Sequence, residues 1–376
     1  MPYEVEPSEH CEDCKFGYCT SWVDARRPDR DTDFRFHREI AKQCTFEDFL
    51  PGTENDPNPP DTEYEVYIDQ MVENAKAAGQ YLFENGHFDD EVIETKEEHS
   101  FSASGVGVVA GDTYEMLVRA TFWNCCADWN QYVTSGDWTL YRDKPDYDFD
   151  SEVCIITLRD NYNLRNLFDE DFLSAYDAVI DAMEEQGAEL TFSTPDAVAI
   201  RLDNVSEDDR RVFRDNLTHV DRETIELLKN GREYVEGQLW PNDIAAAIGI
   251  KTSGRADRNQ QFAMEANGWL TLFRSIFGVE SQRYYMTQRD EYGADSSRAT
   301  RAAWLPSIEG TEDGLQAEPV IEAEVPITTP QHAEERFYDT FLPVLVETAD
   351  DDLNTYFFDS LGVEITKQSD VEGWEE

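Results

Sequence analysis

AAAIGIKTSGRADRNQQFAMEANGWLTLFRSIF, residues 245–277, sets two kinds of pattern end to end. Its first part is a continuous apolar run, short enough to predict a buried strand over 245–253. From Asp257 the period changes. Phe262, Ala266, Trp269, Phe273 and Ile276 recur at helical spacing, so a helix capped by Asp257 is expected, with these residues on one face. A strand that hands over to a packed helix is an α/β element.

The flanking sequence continues that alternation. EVCIITL (152–158) predicts a strand, 169–186 a helix, ELTFSTPDAVAIRL (189–202) two strand segments parted by Pro195-Asp196, and 206–232 a polar helical stretch. Upstream, 64–85 has helical period, and the glycine-rich ASGVGVVAG (103–111) leads into a helix that Asp112 or Thr113 could cap. Beyond about residue 280 come short strand signals, an acidic loop with prolines (306–330) and a helix at 331–348. The expectation is an α/β core, a mixed β-sheet flanked by helices, with its centre in 100–300 of a 61–348 domain. Residues 1–60 form a Cys-containing head that closes in PGTENDPNPPDTEYE, and 349–376 an acidic tail.

Three side chains converge on one chemistry. Asp196 is presented at a bend between strand segments. Lys251 ends an apolar strand, where a lone ammonium would be costly without an anionic partner. Glu265 lies eight residues into the following helix. The chain from Lys251 to Asp257 can extend by up to about 20 Å, and the returning helix comes back about 12 Å, so the three can meet. Two carboxylates can hold a divalent cation, and a lysine can stabilise charge on a phosphoryl oxygen. That is equipment for metal-assisted phosphodiester hydrolysis. Singly, each has a plainer reading: a common bend, a lysine reaching for solvent, a solvated helix face.

Between the lysine and the glutamate stand Arg255, Asp257 and Arg258. Two arginines can each grip guanine O6 and N7 while an aspartate accepts from cytosine N4, so the trio can read adjacent G·C pairs. The alternative is an N-cap aspartate beside two solvent-facing arginines.

With Pro195-Asp196 upstream, Lys251, Arg255, Asp257, Arg258 and Glu265 stand at spacings that resemble the CCGG-recognising type II restriction endonucleases of the NgoMIV kind. The resemblance spans roughly residues 100–280. It implies the PD-(D/E)xK nuclease fold with its second acid moved onto the helix after the lysine. Gly249 stands where the common motif has Asp or Glu, and Glu265 is the substitute. By resemblance, Asp196 and Glu265 are Mg2+ ligands, Lys251 is the catalytic lysine, and Arg255, Asp257 and Arg258 read a CC:GG half-site in double-stranded DNA. Glu115 looks like the counterpart of a family glutamate near the metals, although a glutamate early in a helix is also favoured by the helix dipole. Family members often carry Ser two places before the lysine, and Gly249 departs from that too. A palindromic target implies a homodimer or homotetramer.

The charge argues about the surroundings. Against 81 acidic residues stand 31 basic ones, 23 Arg and 8 Lys, for a net charge of −50. Such a surface repels a polyanion in ordinary buffer. Molar salt, with a Debye length of roughly 3 Å, would screen it, so the expected origin is the cytoplasm of an extreme halophile. No apolar run approaches a membrane span, and the N-terminal segment is acidic where a signal peptide is basic. Seven cysteines with an adjacent pair, Cys125 and Cys126, suit reduced thiols rather than a disulfide scaffold. Cys11, Cys14, Cys19 and Cys44, with His10 and His37 nearby, could supply ligands for a structural Zn2+. The rival functions are a repair or recombination nuclease of the same fold, and a non-catalytic DNA-binding or zinc-dependent interaction protein.

Overall fold

Five strands form the central sheet: β1 (Val153–Thr157), β2 (Ala197–Arg201), β3 (Ile244–Lys251), β4 (Arg283–Gln288) and β7 (Ala323–Pro326), in the order β1-β2-β3-β4-β7. β1–β2 and β2–β3 pair antiparallel, whereas β3–β4 and β4–β7 pair parallel. The sheet is therefore mixed, as the alternation of strands and helices predicts. A separate hairpin joins β5 (Glu309–Thr311) to β6 (Gly314–Gln316). The computed structural model describes residues 49–73, 103–136, 151–158, 162–187, 194–220, 222–251, 256–289, 309–311 and 314–346.

The chain divides into two compact units. The first comprises residues up to Thr121 with Leu217–Leu228 and Ile327–Glu335. Within it, Asp56 organises the proline-rich loop. Its Oδ2 accepts from the Gly52 amide at 2.8 Å and the Tyr67 hydroxyl at 2.7 Å, while Oδ1 accepts from the Asn58 amide at 2.9 Å. Gly52 has φ +83° and lies against Pro330, where an added Cβ would approach the proline Cβ to 2.4 Å. Only glycine suits both the conformation and the contact. The helical residues 64–73 (α1) and the start of α2 (Ala103–Ser135) meet through Tyr64 and Tyr114, ring centroids 6.0 Å apart.

The second unit holds the sheet. Asn130, in the later part of α2, is fully buried and fixes β1 with its whole amide. Nδ2 donates to Val153 O and Oδ1 accepts from Val153 N. α3 (Glu170–Glu185) begins at Asp169, whose side chain accepts from the Asp171 amide, and Glu170 and Asp171 suit the positive end of the helix dipole. α4 (Arg222–Asn230) belongs mostly to the first unit, and α5 (Ala256–Leu270) to the second. Gln282 is completely buried and braces α5 against the sheet. It accepts from Trp269 Nε1 at 3.0 Å and donates to Ile244 O at 2.5 Å.

Some elements depart from expectation. α2 starts at Ala103 and runs through the glycine-rich stretch, so Asp112 and Thr113 are interior residues; the Thr113 hydroxyl donates back to Val109 O one turn earlier. The stretch 206–232 is not one helix. Side chains of α2 take the carbonyls that would continue it, with Asn130 on Phe213 O, Gln131 on Arg214 O and Trp123 on Asp215 O. α5 starts at Ala256, so Asp257 is its second residue rather than its cap; alanine is a strong helix former and extends the helix by one position. The helix then widens into a π-turn over Thr271–Phe277, which shifts the phase by one and buries Phe277 in place of Ile276. Within 306–330, expected as loop, lie β5, β6 and β7; β7 finds pairing partners in β4.

Candidate active site

β2 begins where β3 ends because the two are antiparallel, Ala197 facing Ile248. Asp196, in the bend just before β2, is thereby brought to the last residues of β3. Its Oδ2 accepts from the Ile250 amide at 2.7 Å and from Lys251 Nζ at 2.6 Å. Both side chains are partly open to solvent, 18% for Asp196 and 26% for Lys251. The ammonium also stands over the Phe262 ring, 5.6 Å from its centroid, so α5 holds it from a second side.

Glu265 is 5% exposed on α5, a carboxylate that burial would penalise if nothing bonded it. Tyr284 donates to Oε2 at 3.0 Å, and Gln261, one turn earlier, donates from Nε2 to Oε1 at 2.8 Å. Tyr284 belongs to β4, and its phenol is held well above the ordinary tyrosine range by burial first, then by the negative charges of Glu265 and Asp196. Both carboxylates therefore act on one buried hydroxyl. Lys251 meets Asp196 directly, and Glu265 is tied to the neighbouring strand through Tyr284.

Gly249 explains why the acid sits on the helix. A Cβ there would lie 2.1 Å from Phe262 Cε1 and 3.1 Å from the Tyr284 hydroxyl oxygen. Any side chain there forces the Phe262 ring to shift, and the Tyr284 hydroxyl that bonds Glu265 occupies the neighbourhood that a carboxylate at 249 would enter.

Among the described residues no three His, Cys, Asp or Glu side chains cluster as a complete metal cage. The Asp196 and Glu265 pair nevertheless fits a hard divalent cation, which takes oxygen ligands and is commonly held by one or two carboxylates with waters and substrate phosphates. Glu115 lies in the first unit and is ion-paired with Arg119. Asp257 and Arg258 lie in the first turn of α5, with side chains outside the described residues, as are Arg255 and the cysteines 11, 14, 19 and 44. Cys125, Cys126 and Cys154 are buried thiols, and burial pushes the thiols of Cys126 and Cys154 up.

The sequence did not point to Tyr284 or Gln261. Tyr284 falls in RYYMTQ, where one aromatic is indistinguishable from another until the neighbouring strand is placed.

A mixed sheet flanked by helices, with Lys251 ending a central strand beside Asp196 from its antiparallel neighbour, is consistent with the restriction-endonuclease class of α/β fold. The model of the Cfr10I/Bse634I restriction endonucleases matches residues 91–303, more than half of the chain, and the protein belongs to that family. It is a type II restriction endonuclease. Two solved structures share the fold at 16% identity. The type IIF restriction endonuclease Bse634I with cognate DNA matches with a TM-score of 0.59, covering 82% of this chain and 92% of that one. A second Bse634I structure gives 0.56, covering 82% and 91%. A search of the curated proteins gives no match. Among the described residues no helix is long and apolar enough to cross a membrane.

Proposed function

We propose that the enzyme cuts double-stranded DNA at a palindromic site containing CCGG, with Mg2+ held by Asp196 and Glu265. The 2.6 Å contact of Lys251 Nζ with Asp196 Oδ2 carries this reading, because it sets a cation beside a carboxylate at the mouth of the sheet. Glu115 is proposed as a further carboxylate of the metal site. When bound, the divalent ion supplies Lewis acidity and an activated water. Lys251 offers its ammonium to the phosphoryl oxygen on which charge builds. Hydrolysis breaks the bond from phosphorus to the 3′ oxygen and leaves 5′-phosphates. Arg255, Asp257 and Arg258 read guanine O6 and N7 and cytosine N4 at the start of α5. The cognate DNA in one matched Bse634I structure supports a duplex as the substrate.

Two-fold symmetry of the site calls for a homodimer or homotetramer. The net charge of −50 fits a cytoplasm of molar salt, where phosphate contacts lose affinity and base contacts must dominate. A structural Zn2+ on Cys11, Cys14, Cys19 and Cys44 is part of the same proposal.

The test is to incubate the protein with mixed plasmid DNA, Mg2+ and molar KCl, then sequence the fragment ends. Discrete ends sharing CCGG, abolished by EDTA, are expected. Random ends, or no cleavage at any Mg2+ concentration, overturn the proposal.

A further inference from the structure

Glu265 is the one carboxylate of the site that is almost fully buried, and each of its oxygens meets a neutral donor from a different direction. Tyr284 reaches Oε2 from β4, and Gln261 reaches Oε1 from the solvent side of the same helix. The Tyr284 hydroxyl also lies where Gly249 leaves the sheet without a side chain. We propose that Tyr284 and Gln261 form a clamp that positions Glu265 for the divalent ion, with the Tyr284 hydroxyl as the principal jaw. This deepens the metal-site reading and rests on it.

The physics favours these two donors. A phenol and an amide stabilise the carboxylate while leaving its charge available. Fixing the orientation of a ligand carboxylate in this way is worth roughly 10- to 100-fold in metal affinity at well-built sites. The geometry also accounts for Gly249, since a side chain there would displace Phe262 and crowd the phenol that holds the migrated acid.

The test uses the full chain and Mn2+ alone in molar KCl, followed by the electron paramagnetic resonance of free Mn2+. The parent protein is compared with Glu265→Gln, Tyr284→Phe and Gln261→Ala. We expect Glu265→Gln to remove the specific binding, Tyr284→Phe to weaken it roughly tenfold, and Gln261→Ala to weaken it less. In cleavage, Tyr284→Phe should raise the Mg2+ concentration for half-maximal rate by a similar factor, with most of the rate recovered at saturation. A general packing defect would lower both. If Glu265→Gln removes Mn2+ and Tyr284→Phe binds like the parent, the clamp is wrong while the metal site stands. If Glu265→Gln binds like the parent, the metal site and the clamp fall together. Should Tyr284→Phe not fold, the exposed Gln261 decides: unchanged affinity in Gln261→Ala overturns the clamp.

Discussion

Glu152 and Asp196 are both carboxylates paired with a cation beside the sheet, but they are held in different ways. Glu152, 6% exposed, is gripped by a guanidinium fork, Arg214 Nε to Oε1 at 2.5 Å and Nη2 to Oε2 at 2.7 Å, with Arg210 3.6 Å away. Asp196 meets Lys251 through a single ammonium, on the same oxygen that accepts the Ile250 amide. A planar fork matched to both oxygens fixes a carboxylate in one place. A point charge on a flexible stem can pass from one anionic partner to another. The first arrangement serves the fold, and the second suits a site where a phosphate must come and go.

The largest expected effect separates the two pairs by function. Lys251→Ala should lower the cleavage rate by roughly 10²–10³-fold, with the thermal midpoint nearly unchanged. A cleavage time course beside a melting curve checks this, and an unaffected rate would make both pairs structural. Next, Arg214→Ala leaves Glu152 buried without its fork and should lower stability by about 3 kcal/mol. Its activity per folded molecule should stay at the parent level. Chemical denaturation with an active-site titration reads both quantities, and an activity loss would erase the contrast. The smallest effect concerns Phe262, which stands over both Lys251 and Gly249. Gly249→Ala should cost about 1–3 kcal/mol by overpacking. Adding Phe262→Leu should recover part of it, measured by the same denaturation. Full stability in Gly249→Ala alone would mean that the ring yields easily and does not steady the lysine.

The parts of the site that lie along one stretch of chain could be read from it. β3, Lys251 and Glu265 follow from an apolar run and a helical period within 245–277, and Asp196 from a proline that interrupts a strand. Tyr284 was hidden because its role depends on β4 lying parallel to β3, a pairing that no local pattern announces. The break in 206–232 was hidden for a related reason. What ends that helix is Asn130, Gln131 and Trp123 on a distant helix, competing for carbonyls that local propensity assigns to the next turn. The start of α2 was misplaced in the opposite sense. Gly107 and Gly111 look like breakers, yet neither has a neighbour within 4 Å that demands a glycine, and the helix simply passes through them.

The strand order also sets when the proposed site can form. Asp196 waits for β3 to pair with β2, and Glu265 waits for its hydroxyl from β4. A chain emerging from the ribosome therefore carries Asp196 and Glu265 before it carries Tyr284. Until synthesis has passed Tyr284, Glu265 lacks the hydroxyl that bonds its Oε2, and long-range strand pairing is the slow part of folding. Assembly of the proposed site thus waits on the pairing of β4 with β3.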